Sequence, residues 1–234
     1  MAGRKQKRRG RTDRPAAESR PPAPVAPARV PTLALVAPML FFSGCCALIF
    51  QVAWMRELRL VFGATTAAVA TVLAIFMGGL GLGSALLGKR AERARNPLAM
   101  YGALEAAIAI SVAASPWLIG LARGAYISLG GQAELGMTGA AVVRVLLAVV
   151  VMGVPTFLMG GTLPAAVRAV TRPGDERRLS LAVLYGVNTL GAVTGSALAT
   201  FFALEQLGTR ATLQAGCAVN LLVGVFAYWQ SQKM

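Results

Sequence analysis

The chain has 234 residues, 56% of them hydrophobic, a mean hydropathy of +0.63 and a formal net charge of +14. An apolar share above the ~45–50% of ordinary soluble domains exceeds what one core can bury, so the surplus must face lipid and a water-soluble globule is excluded. There is no histidine, which excludes a His-based triad, a His-ligated metal site and an imidazole proton relay.

Residues 1–30 are basic at first and then rich in Pro and Ala, with almost no bulky apolar side chains. Such a segment cannot bury enough surface to offset its ordering entropy and is expected to be a disordered cytoplasmic tail. Its charge suits anionic lipid; nucleic-acid binding would need an accompanying folded or aromatic feature, and no nucleic-acid partner is expected. A cleaved signal peptide is not expected either, because the apolar run that follows is of spanning length.

From residue 31 to 230 the chain reads as one membrane domain. Six stretches approach the ~20 residues that cross ~30 Å of hydrocarbon. They lie at about 31–54, 64–87, 98–122, 141–167, 180–203 and 211–230, within ~2–4 residues at each end. Continuous apolar runs without period-2 alternation exclude a barrel, so the fold class is all-α, a polytopic six-helix bundle. With the N-terminus inside, every Lys and Arg falls on the cytoplasmic side except Arg56, Arg59, Arg123, Arg210 and the intraspan Arg144. This positive-inside bias predicts six crossings with both termini cytoplasmic.

Chemistry narrows by what is missing. Cys45 and Cys46 are adjacent and Cys217 lies in another span, so the three read as small apolar fillers and not as a metal or redox site. No Walker A loop is present. "GGLGLGS" at 78–84 sits inside a span without the strand context a dinucleotide fingerprint needs. No cofactor and no metal are expected.

The polar residues fall at particular depths. Counted inward from the cytoplasmic boundary, Glu105, Asn188, Asn220 and Thr162 lie in one layer roughly 8–14 Å deep at 1.5 Å per residue. A lone carboxylate in hydrocarbon costs on the order of 3 kcal/mol, so Glu105 should face the interior, with Asn188, Thr189 and Asn220 as its expected partners. Gly79 with Gly83, and Gly191 with Gly195, form G-x-x-x-G faces that let backbones approach closely. Packing around a satisfied polar layer is one reading; a ligand or proton site at Glu105 is the other.

At the opposite membrane face a second polar group gathers: Gln51, Arg56, Glu57 and Arg59 after the first helix, Arg144 in the fourth, and Glu205 and Gln214 around the last hairpin. Arg144 either snorkels to the interface or pairs with Glu57 or Glu205. Pro155 and Pro164, with Gly153, Gly160 and Gly161 nearby, predict a kinked or locally unwound fourth helix. "FMGGLGLGSALLGKR" (76–90) and "LMGGTLPAAVRAVTR" (158–172) both run from Met-Gly-Gly to a basic exit on the same side, which lends only weak support to an internal duplication.

"FFSGCCALIFQVAWMRELRLVFG" (41–63), "VLAIFMGGLGLGSALLGKRAERARNPLAMYGALE" (72–105), "GVPTFLMGGTLPAAVR" (153–168) and "LYGVNTLGAVTGSALATFFALEQLGT" (184–209) together resemble the transmembrane region of bacterial membrane-fused spermidine synthase-like proteins, often described as major-facilitator-like. The resemblance covers about residues 33–230 and implies a multi-pass protein of a bacterial inner membrane. In that family the region typically precedes a cytosolic aminopropyltransferase domain, and the 234 residues end just after the sixth span without it. Three functions follow as expectations. The first is a non-catalytic membrane module that anchors, or forms a subunit with, another membrane or cytosolic protein or further copies of itself. The second is a transporter-like or polyamine-binding bundle using Glu105 and Asn188. The third is a membrane enzyme in its own right.

Overall fold

The computed structural model describes residues 31–63, 65–171 and 177–234, so the tail expected to be disordered over 1–30 lies outside the described residues. Among the described residues every regular element is helical. They are α1 (Leu33–Phe62), α2 (Thr66–Glu92), α3 (Pro97–Ala113), α4 (Ser115–Ser128), α5 (Gly131–Val170), α6 (Arg177–Leu198) running into a π-helical turn at Ala199–Ala203, α7 (Leu204–Gln206) and α8 (Gly208–Ser231). By length and composition α1, α2, α5, the run Leu179–Gln206 and α8 can each cross a membrane, and α3 with α4, bent by 41°, add a sixth when the pair is taken as one span.

The helix limits depart from the sequence expectation for local reasons. α1 continues past residue 54 because Phe50, Trp54, Leu58 and Phe62 recur every four residues and are all buried, which places Arg56, Glu57 and Arg59 on a helix and not in a loop. The third span breaks at Ala114, since Pro116 has no N–H to give the carbonyl of Val112. Trp54 Nε1 donates to Ser115 Oγ at 3.0 Å and holds that bend against α1.

The fourth span is corrected more sharply. Within α5 the residues around Pro155, Gly160 and Pro164 keep helical backbone angles, and the one non-helical residue is Gly136, with φ 65° and ψ −179°, a region almost reserved for glycine. Nearby hydroxyls bond back to their own helix: Thr156 Oγ1 donates to Met152 O at 2.8 Å and Thr162 Oγ1 to Met159 O at 2.8 Å, while the carbonyls of Val151 and Gly160, four residues before the prolines, receive no proline amide. Close packing along α2 constrains the same stretch.

Three helix pairs dominate the packing: α2 with α5, α1 with α6, and α3 with α8. Each is closed by glycine. A Cβ on Gly191 would collide with the carbonyl of Phe41, one on Gly195 with that of Cys45, and one on Gly83 with that of Phe157. A Cβ on Gly102 would sit 2.7 Å from Gly224 O, and one on Gly224 2.8 Å from Gly102 O. The glycine faces of α2 and α6 therefore serve separate partners inside one bundle and do not meet each other. The two Met-Gly-Gly segments are neighbours, with Gly160 against Leu80, Gly83 and Ser84.

These contacts repeat. Phe41 on Gly191 matches Phe157 on Gly83, Gly44 on Asn188 matches Gly160 on Leu80, and Cys45 on Gly195 matches Gly161 on Leu87. The α3–α8 contact maps onto itself, Gly102 meeting Gly224 and Tyr228 while Gly224 meets Gly102 and Ala106. The first three spans thus correspond to the last three, and because successive spans alternate in direction the relation is inverted.

Outward faces are apolar: Leu82, Leu86, Ile110, Val150, Val154, Leu190, Leu222 and Val225 are exposed along their lengths. Such a perimeter fits a lipid surround and is too extensive for a soluble monomer. Substituting Gly195→Leu should lower the thermal midpoint in detergent, with a cost on the order of 3 kcal/mol from forced separation of α1 and α6, whereas Ala197→Leu, at an exposed position of the same helix, should leave it nearly unchanged. Equal shifts in a thermal melt would refute the interface.

Candidate functional site: a polar seam between two apolar cores

The buried apolar residues fall into two clusters, one holding Leu40, Tyr101, Leu104, Ala165 and Val223, the other Cys46, Ile108, Met159 and Cys217. Between them each of four helices carries one buried polar residue. Ser43 lies between Leu40 and Cys46 on α1, Glu105 between Leu104 and Ile108 on α3, Thr162 between Met159 and Ala165 on α5, and Asn220 between Cys217 and Val223 on α8. The expected layer is therefore a seam through the bundle, at one level on all four helices.

Glu105 is 0% exposed, and neither carboxylate oxygen has a hydrogen-bond partner of proper geometry. Its polar neighbours are the hydroxyls of Ser43 and Tyr101. The Tyr101 hydroxyl and Asn220 Oδ1 are likewise buried without a partner. Thr162 satisfies its hydroxyl on Met159 O. Asn188 is half-buried with its backbone and amide against Gly44, where a Cβ would stand 2.8 Å from Oδ1.

A cavity of about 80 Å³ opens off this seam. Ser43, Gly44, Thr162, Asn188 and Asn220 line it, so three of the four residues of the expected layer, all but Glu105, meet at one void. Ser43 both lines the void and stands beside the Glu105 carboxyl, which joins the two. Thr189 is a correction: it is exposed, its hydroxyl donates to Tyr185 O at 2.8 Å, and it does not reach Glu105. Consecutive helical residues are ~100° apart, so Asn188 and Thr189 cannot share one face.

Ser43 and Tyr101 escaped the sequence reading. Tyr101 carries a signal that could have found it, since it precedes Glu105 by one helical turn and so shares its face. Ser43 carried only its place beside Gly44, where α6 comes close.

The second polar group does not form a single cluster. Arg144 gives Nη2 to Tyr126 Oη at 2.7 Å and to Gln132 Oε1 at 3.2 Å, with its guanidinium 5.3 Å from the Tyr126 ring centre, so the pairing with Glu57 or Glu205 is not made. Arg56 Nη1 donates to Leu204 O at 3.0 Å. Glu57 lines an open cleft of about 730 Å³ with Arg123 and Arg210, while Gln51 is buried in the bundle and Glu205 and Gln214 are exposed. α4, bent by 41° from α3 and packed against α5, supplies the tyrosine that captures Arg144.

No group of three or more His, Cys, Asp or Glu residues suited to a metal occurs among the described residues. In a double-mutant cycle, Tyr126→Phe and Arg144→Gln should couple by about 1 kcal/mol of folding stability, and strictly additive effects would refute the contact. Comparison with family models, with curated proteins and with solved structures finds no match.

Proposed function

We propose that this chain is a non-catalytic membrane module of the spermidine synthase-like kind, seated in a bacterial inner membrane with both termini cytoplasmic, that anchors or forms a subunit with a partner protein. The observation that carries this reading is the interior itself: glycine-closed helix pairs leave one buried carboxyl beside a void of about 80 Å³. Group transfer between a nucleotide-sized donor and an amine needs a pocket of ~300 Å³ or more with several convergent polar groups. The larger cleft at the other end offers one carboxylate, Glu57, and lies open. Chemistry of that kind would therefore come from a partner or another segment.

Charge supports the orientation. Lys89, Arg90, Arg93, Arg95, Arg168 and Lys233 gather at the end of the bundle where α1 begins, against Arg56, Arg59, Arg123 and Arg210 at the other. The basic composition of residues 1–30 suits anionic lipid, and the apolar perimeter suits a membrane partner or further copies.

A second reading, a small-molecule-binding or transporter-like bundle using Glu105 and Asn188, is favoured by the cavity beside Ser43. The size of that cavity admits a few waters or an ion and leaves no room for a polyamine.

Green fluorescent protein fused after Met234 should fluoresce, and alkaline phosphatase inserted after Gly130 should be active; the reverse pattern would overturn the orientation. Pull-down from native membranes should bring with it a protein carrying an aminopropyltransferase-type domain, and recovery of background proteins alone would count against the module. Proteoliposomes should show no uptake of labelled putrescine or spermidine.

A further inference from the structure

We infer that the seam at Glu105 is a site for a monovalent alkali cation that exchanges with a proton carried by the carboxyl, an inference that deepens the second reading above and rests on it. Glu105 is fully buried with both oxygens open, and Asn220 Oδ1 and the Tyr101 hydroxyl are buried and open at the same level. Asn220 lines the void with its Oδ1 unpaired, and the Glu105 carboxyl adjoins the void through Ser43, which stands beside both; buried polar atoms left unpaired are what packing alone removes, since each is costly.

Charge identifies the occupant. The seam holds a single acid and no basic residue; Arg168, the nearest cation along α5, turns to Thr171 O at 3.3 Å. The titratable groups that face Glu105 are Tyr101 on its own helix, Cys46 on α1 and, beyond Cys46, Cys217 on α8, none of them a cation. α5 and α6 contribute Thr162 and Asn188, which are neutral. One negative charge in a region of low dielectric is balanced by one positive charge, so a monovalent ion neutralises the site whereas a divalent ion would leave it charged.

The groups at hand offer oxygen: the carboxylate with the Ser43 hydroxyl beside it, and around the void the Thr162 hydroxyl and the side-chain amides of Asn188 and Asn220. Hard oxygen ligands suit hard cations. A void of about 80 Å³ admits such an ion with a few waters. On exchange the carboxyl O–H bond breaks, the proton leaves to water, and the cation takes over its charge, so the seam is neutral in both states.

The test uses the purified full chain in detergent, melted at equal ionic strength in lithium, sodium or potassium chloride and in N-methyl-D-glucamine chloride. At about pH 8 at least one alkali chloride should raise the thermal midpoint by about 2–4 °C, and the gain should shrink at about pH 5, where protons compete. Glu105→Gln should abolish the gain, Ser43→Ala should reduce it, and Glu92→Gln, an exposed change, should keep it. Equilibrium dialysis with labelled sodium, on wild type and Ser43→Ala, covers the case in which Glu105→Gln does not fold. Equal midpoints in every salt, or a gain that survives Glu105→Gln, would overturn the inference. A midpoint that responds to pH through Glu105 but to no alkali ion would overturn the cation while leaving the buried-site reading standing; no response to either would remove both.

Discussion

Between helices in a bilayer there is no hydrophobic attraction to exploit, because acyl chains are as apolar as leucine, and association must come from close contact of backbones and from polar groups hidden between them. In this protein that constraint is met by glycine on each of the three principal helix pairs, where a single added carbon would overlap a carbonyl across the interface. Everything else follows from how near those backbones lie. The contact of α5 with α2 covers the stretch that carries its two prolines, and the crossing of α3 with α8 at Gly102 and Gly224 brings Glu105 against the second half of the chain.

The seam is a consequence of that closeness. With apolar clusters on both sides, one polar residue per helix at a common level is shielded from lipid on every flank. Thr162 closes its hydrogen bond on its own helix and needs no partner elsewhere. Glu105 and Asn220 cannot do so, and their open oxygens distinguish the seam from a merely structural clasp. Asn220 lines the cavity beside Ser43, and Ser43 in turn stands beside the Glu105 carboxyl. The cavity's volume bounds what the bundle could bind more tightly than the presence of an acid does.

The inverted correspondence of the two halves gives the seam its setting. Equivalent contacts on α1–α6 and α2–α5 flank the self-matching contact of α3 with α8, and Glu105 lies one turn from that central crossing on α3. Asn188 corresponds to Leu80, and Ser43 to Met159. Ser43 and Asn188 are thus polar where their counterparts are apolar, a departure from symmetry on the α1–α6 side, and Thr162 and Asn220 complete the lining from α5 and α8.

Much of this was legible in the residues because depth in a membrane is a one-dimensional quantity. Counting 1.5 Å per residue from a basic boundary placed Glu105, Thr162, Asn188 and Asn220 at one level, and the G-x-x-x-G spacing marked the faces that must lie close to another backbone. Rotation about each helix axis, and which helix answers which face, are not carried by any single segment. Thr189 pointed outward, Arg144 went to Tyr126 on a helix created by a proline bend, and α2 and α6 took different partners, because those outcomes depend on how six cylinders are arranged around one another. By itself the sequence determined the class, most of the apolar helices, the level of the polar residues and the glycine faces, all of which depend on local composition and spacing. Only the tertiary structure decided that the acid stands beside Ser43 and Tyr101 near a small void, since the meeting of residues far apart in the chain is set by packing and not by the properties of either one.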